Sequence, residues 1–174
     1  MPVNPLVSVI IPLYNAEPYI GECINSALKQ TWQNIEVIIV DDGSKDNSLA
    51  VAKQFESEKV KVLHQQNSGA SVARNYGLKV SKGKYIQFMD ADDLLSENKI
   101  EEQIIVLEKN KDCIAVCDTV YFPDGADPYQ CSPVTDWYVD GSEDPTDFLI
   151  KREWGHFIGK GYGGMVQPSA WLTP

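Results

Sequence analysis

The chain has 174 residues, 43% of them hydrophobic and 23% charged, with a formal net charge of -10. That length and mix describe about one globular domain with a core of ordinary size. The acidic balance excludes a nucleic-acid footprint or a polybasic membrane patch, and a protein this acidic needs local cations, a metal ion among them, to hold an anionic substrate.

Strand and helix alternate along the first two-thirds of the chain. VSVIIP, Val7 to Pro12, is a continuous apolar run of buried-strand length that Pro12 ends. Pro18 stands at a first helical position, and Ile20, Cys23, Ile24, Ala27 and Leu28 follow on one helical face. A second strand, Ile35 to Val40, meets the turn Asp41 to Ser44 and a helix carrying Leu49, Ala52 and Phe55. A third strand, Val60 to Leu63, leads through Gln66-Asn67-Ser68-Gly69 into a helix over Ala70 to Val80, which Ser81-Lys82-Gly83 closes. The fourth strand, Tyr85 to Met89, runs into Asp90-Ala91-Asp92-Asp93. A helix over about 97–110 and a fifth strand from Cys113 to about Tyr121 complete the alternation. Residues 123 to 145 read as a long loop and 146 to 152 as a short helix, and MVQPSAWLTP reads as a strand in want of a following element. The chain is therefore expected to be a fragment.

Such alternation predicts an α/β fold with a mostly parallel sheet covered on both faces. Ligands of these sheets bind beyond the carboxyl ends of the strands. The segments that follow the strands here are Leu13 to Glu17, Asp41 to Ser44 and Asp90 to Asp93, and parallel strands would bring all three to one rim. No run approaches the ~20 apolar residues of a membrane span. The N-terminus MPVNPLVSVIIP lacks the basic region and cleavage site of a signal peptide.

Each motif at the rim has a chemical and a bland reading. Hard cations such as Mg2+ or Mn2+ take one or two carboxylates together with substrate phosphates, and Asp90 and Asp92, two apart at a strand end, suit that; a solvated turn feeding a helix is the alternative. Asp42 or Ser44 could simply cap the next helix, while Asp41, close to the core, suits an acceptor for a ligand N–H or ribose hydroxyl. Tyr14 could stack on a planar base or pack on the neighbouring helix. Arg74, one turn past the Gln66–Gly69 loop, is expected to pair with Asp42 or with a ligand phosphate.

Other features carry less chemistry. Cys23, Cys113, Cys117 and Cys131 form no C-x-x-C pair, and with only His64 and His156 to help them a zinc site is not expected. Cys23 falls on an apolar stripe and Cys113 opens a predicted strand, where buried thiols act as small hydrophobes; a reducing, cytoplasmic setting is the simpler expectation. Gly159, Gly161 and Gly164 spell G-x-G-x-x-G but follow no clear strand and open no helix, so they read as a loop.

Taken in order, SVIIPLYNAEPYI, IEVIIVDDGSKDNS, NSGASVARNYGL and GKYIQFMDADD resemble the family-2 inverting glycosyltransferases with the GT-A fold, over residues 6 to about 120. The terminal QPSAWLTP is similar to a family segment that precedes the acceptor-side acid. The resemblance implies a Rossmann-like sheet, truncated at its C-terminus, with a nucleotide-sugar-binding half at 1–122 and the start of an acceptor-side region at 123–174. It implies a nucleotide diphosphate sugar donor, commonly a UDP-sugar, and a carbohydrate or lipid-linked acceptor, in polysaccharide or glycoconjugate biosynthesis. The setting would be cytoplasmic or at the inner face of the membrane, with any peripheral attachment through parts outside this chain.

By the same resemblance Pro12, Tyr14, Asn15 and Glu17 line the nucleoside pocket, Asp42 receives the base N–H and Arg74 supports that pocket. Asp90 and Asp92 match the D-x-D motif, Asp92 as the stronger ligand of Mn2+ or Mg2+ and Asp90 nearer the ribose and metal. The ion would neutralise the departing diphosphate. Inverting transfer needs a general base as well. The last acidic residue is Glu153, so the family's base is expected beyond Pro174, and Asp136, Asp140 and Asp144 are not promoted into that role. Two alternatives stand beside this: a nucleotidyltransferase, which favours a Gly-rich basic loop that PLYNAEP lacks, and a sugar-nucleotide-binding module that transfers nothing.

Overall fold

The computed structural model describes residues 4–110, 113–117, 119–123, 125–132 and 171–174. The chain divides into two compact units, Met1–Val116 with Trp171–Pro174, and Cys117–Ala170.

The first unit is built on four parallel strands, β1 (Val7–Leu13), β2 (Ile35–Asp41), β3 (Val60–His64) and β4 (Tyr85–Phe88), in the order β3-β2-β1-β4. Four helices alternate with them: α1 (Ile20–Leu28), α2 (Ser48–Lys53), α3 (Ala70–Val80) and α4 (Lys99–Lys109). Period-two alternation divides the strands between two layers. Val7, Val9, Ile11 and Leu13 share one core with Ile20, Cys23 and Ile24 of α1 and Ile100, Ile104 and Leu107 of α4. Ile38 and Val40 point to the other face and pack with Ala73 of α3. The expected parallel sheet with helices on both faces is what the chain forms, and α3 has the expected bounds.

Several boundaries differ from the sequence reading: β2 and β3 each run one residue further, to Asp41 and His64, β4 stops at Phe88, and α2 ends at Lys53, before Phe55. β1 continues through Pro12 to Leu13. Ile10 turns its carbonyl to β4, accepting from Met89 N at 3.0 Å, and Leu13 turns its own to the β2 side, accepting from Asp42 N at 2.8 Å. By alternation the missing donor of Pro12 lies on the β4 edge, where the ladder has already ended at Ile10–Phe88, so the proline costs no bond. α1 begins at Ile20, after a turn that contains Pro18. The expected fifth strand shrinks to β5 (Ala115–Val116), paired antiparallel with β6 (Trp171–Leu172), and Cys113 is exposed rather than buried. The described residues between Cys117 and Tyr121 form no such ladder, and outside a ladder β propensity has nothing to express. Thr173 then bridges to Ile86 of β4 through bonds of 2.7 and 3.0 Å.

In the second unit the described residues hold a 3-10 turn at Pro128–Gln130, where Asp127 accepts from Tyr129 N at 3.0 Å. Much of the expected loop, the expected helix at 146–152, the glycine run and the start of QPSAWLTP lie outside the described residues. Among the described residues no helix is long and apolar enough to cross a membrane.

Gly77 is the contact point between α3 and the sheet: a Cβ there would collide with Ile10 Cγ2. Alanine gains about 1 kcal/mol of helix propensity over glycine, but overpacking costs about 1–3 kcal/mol. Gly77→Ala is therefore expected to lower the urea midpoint, whereas the same change at an exposed helical glycine would raise it.

Candidate functional site

Parallel pairing places the ends of β1, β2 and β4 on one rim, and the strand order reverses between β1 and β4. That reversal opens the crevice in which α/β sheets bind ligands. The rim carries two acidic groups in different physical states.

The first group closes β2. Asp41 is fully buried, with His64 Nδ1 2.8 Å from its Oδ2 and Ser44 N at 3.4 Å from both oxygens. Its expected use as a ligand acceptor gives way to these protein partners, because a carboxylate this deep must be satisfied internally. Asp42 is also buried and accepts from Gln65 Nε2 at 2.7 Å and from Ser68 N and Gly69 N at 2.8 Å. Burial pushes its pKa up, but the Gln65, Ser68 and Gly69 bonds outweigh it and hold the carboxyl below its ordinary value. Asp42 thus fastens the β3–α3 loop and the start of α3 to the sheet. Neither Gln65 nor Ser68 was marked by the sequence as a site residue; the acceptor they serve lies 23 and 26 positions away.

The loop after β1 is bonded to the turn after β2. Asn15 has φ +50°, donates its N–H to Ser44 Oγ at 3.1 Å and accepts from Lys45 N at 2.8 Å. Ala16 N donates to Ser48 Oγ at 2.8 Å. Glu17 is half-buried and Tyr14 exposed, while Pro12 is buried within β1 opposite Val40.

The second acidic group follows β4. Asp93 N donates to Asp90 O at 3.1 Å, closing a turn, and the Cys23 thiol of α1 donates to the same carbonyl at 3.4 Å. The Cys23 pKa is pushed far up, first by burial and then by the carboxylates of Asp93, Asp92 and Asp90. All three acids therefore act on one point. Arg74 Nη2 donates to Asp90 Oδ1, so the arginine pairs with Asp90 and not with Asp42, which accepts from Gln65, Ser68 and Gly69 instead. Arg74 Nε is buried and has no acceptor among the described residues. Asp92 is exposed.

Among the described residues no three His, Cys, Asp or Glu side chains converge closely enough to hold a metal ion by themselves. One or two carboxylates, with phosphate and water completing the shell, is how Mg2+ is usually held. The oxygen donors after β4 fit that arrangement, with the Arg74 guanidinium on Asp90.

This architecture is that of the GT-A glycosyltransferases. TarS of S. aureus (residues 1-349), solved with UDP-GlcNAc, superposes with a TM-score of 0.62 at 29% identity, over 70% of this chain and 36% of TarS. The pattern of glycosyl transferase family 2 matches residues 8–166, and the chain belongs to that family. Glycosyltransferase GlyG of Streptococcus pneumoniae is 44% identical over 72% of this chain and 42% of its own length. Glycosyltransferase YibD of Escherichia coli is 39% identical over 89% of this chain and 47% of its own. The chain spans less than half of each relative.

Asp42 gives a pH test. A carboxyl whose folded pKa is depressed contributes stability above its unfolded value of about 3.9 and loses it as pH falls through the folded value. Asp42→Asn leaves an amide facing at least one N–H donor, so at pH 7 it is expected to cost about 2 kcal/mol or more. Urea midpoints of the two proteins should differ most near neutrality and converge as pH drops below about 4.

Proposed function

We propose that this chain is the donor-binding portion of an inverting glycosyltransferase that moves a sugar from a UDP-sugar to the hydroxyl of a carbohydrate or lipid-linked acceptor. The observation that carries this reading is the gathering of Asp90, Asp92 and Asp93 beside the β1–β4 reversal, with Arg74 on Asp90. Family membership and the likeness to TarS solved with UDP and with UDP-GlcNAc support the donor class.

The nucleoside lies against the β1 and β2 ends, with Tyr14 offering an exposed ring to the base and Pro12, Asn15 and Glu17 shaping the segment around it. Asp42, with about one lone-pair site left beyond its three protein bonds, takes a base N–H. Asp92 and Asp90 hold Mn2+ or Mg2+, which when bound neutralises charge on the leaving diphosphate. Arg74 keeps Asp90 in place from α3. The acceptor hydroxyl needs a base; Asp136, Asp140 and Asp144 lie outside the described residues and are assigned no part. Residues 1–122 form the donor half in this scheme and 123–174 begin the acceptor side, with the product a polysaccharide or glycoconjugate made on the cytoplasmic side.

Calorimetry with UDP tests the scheme. Affinity is expected to depend on Mn2+, and Asp92→Asn to weaken it about tenfold or more, a loss of about 1.4 kcal/mol or above. Asp93→Asn should change it far less. Equal affinity in the presence of a chelator would remove the metal from the donor site.

A further inference from the structure

We propose that Glu17 acts on donor binding through Asn47, as a positioning residue that latches the β1 loop to the turn before α2, and not by touching the nucleotide. Both carboxylate oxygens are engaged by one residue: Oε2 accepts from Asn47 N at 3.1 Å and Oε1 from Asn47 Nδ2 at 3.0 Å. The exchange is reciprocal. Glu17 N donates to Asp46 Oδ2 at 3.2 Å, and the other oxygen of Asp46 accepts from Ser48 N at 3.0 Å. After burial, which raises it, the bonds from Ser48 and Glu17 leave the Asp46 carboxyl below its ordinary value, as expected for an acceptor in regular use.

The latch sits at one end of a short span. Leu13 is the last residue of β1 and is fully buried, so it anchors the other end. Between the anchors lie exposed Tyr14 and Asn15, the latter left-handed at φ +50°, a conformation uncommon outside glycine, and then buried Ala16. Without the Glu17 carboxylate the span would keep its Asn15 and Ala16 bonds but lose the restraint at its end, and a ligand would bear more of the ordering cost on binding. Held at both ends, it meets the ligand already ordered, which is preorganisation. Glu17 therefore matters for affinity although its own oxygens are occupied elsewhere. The two latch residues are 30 apart in the chain, so their pairing leaves no local mark in the sequence.

This role rests on the donor-site reading above. Its test is calorimetry with UDP and Mn2+ on the wild type, Glu17→Ala, Asn47→Ala and the double variant, with melting temperatures from the same samples. Each single change is expected to weaken UDP about three- to tenfold, given a solvent-accessible contact. The double variant should bind no worse than Glu17→Ala alone, because that change already removes both bonds, whereas Asn47→Ala removes only the side-chain one and keeps the backbone N–H. Glu17→Gln, which keeps one acceptor oxygen, should fall between wild type and Glu17→Ala. A double variant weaker than Glu17→Ala by the full factor of Asn47→Ala would mean that the two residues act separately, and would overturn the latch. Lower melting temperatures with unchanged UDP affinity would reduce it to a structural contact and overturn it equally. A wild-type chain that binds no UDP with Mn2+ would overturn the donor-site reading and this role together, whereas the other two results leave that reading standing.

Discussion

β1 is hydrogen-bonded along both edges, to β2 over seven register pairs and to β4 over four, and all seven of its residues are buried. A strand in that position cannot slip. Moving it one residue would exchange the face that meets α1 for the face that meets α3, and would drive Ile10 away from the gap left by Gly77. Everything on the rim inherits its position from this register. Leu13 ends level with Asp41, Ile10 ends level with Phe88, and the loops that follow start from those levels.

The rim then handles its negative charge in two ways. Asp41 and Asp42 are buried, and the fold supplies their donors from Ser44, His64, Gln65, Ser68 and Gly69. These carboxylates are stabilised because N–H groups were brought to them when β3 and α3 docked. In the cluster after β4 Arg74 pairs with Asp90, and the acids add to burial in pushing up the Cys23 thiol. Carboxylates of the first kind hold loops to the sheet, and those of the second kind lie at the strand end where the proposed donor site needs a cation. In a chain of net charge -10 the distinction matters, since unspecific negative charge would repel a diphosphate.

Packing beneath the cluster is polar as well as apolar. Lys99, at the first turn of α4, is buried and donates to Gln87 of β4 and, at 2.7 Å, to Gln103 of α4, whose Nε2 reaches Ala115 O at 3.1 Å. This network ties β4, α4 and β5 together just below the strand end from which Asp90 emerges. A buried ammonium needs such partners to be tolerated.

Hydrophobic period and run length are local properties, and what depends on them was legible in the sequence: the four parallel strands, the apolar stripe Ile20, Cys23, Ile24 and Ala27 of α1, the bounds of α3, and the arrival of three polar segments on one rim. The motif order also sufficed to place the chain in its family. Pairings between distant residues were decided only by tertiary structure. Arg74 pairs with Asp90, while Asp42 takes its donors from residues 65 to 69. Glu17 turned to Asn47, and Asp41 to His64, through contacts that exist only once β1, β2 and β3 lie side by side. Pro12 was read as a strand end, yet it continues β1 because the neighbouring ladder stops two residues earlier. A sequence specifies which groups are present and which face they occupy, but a hydrogen bond is allotted among competing partners by three-dimensional distance, which the chain acquires only on folding.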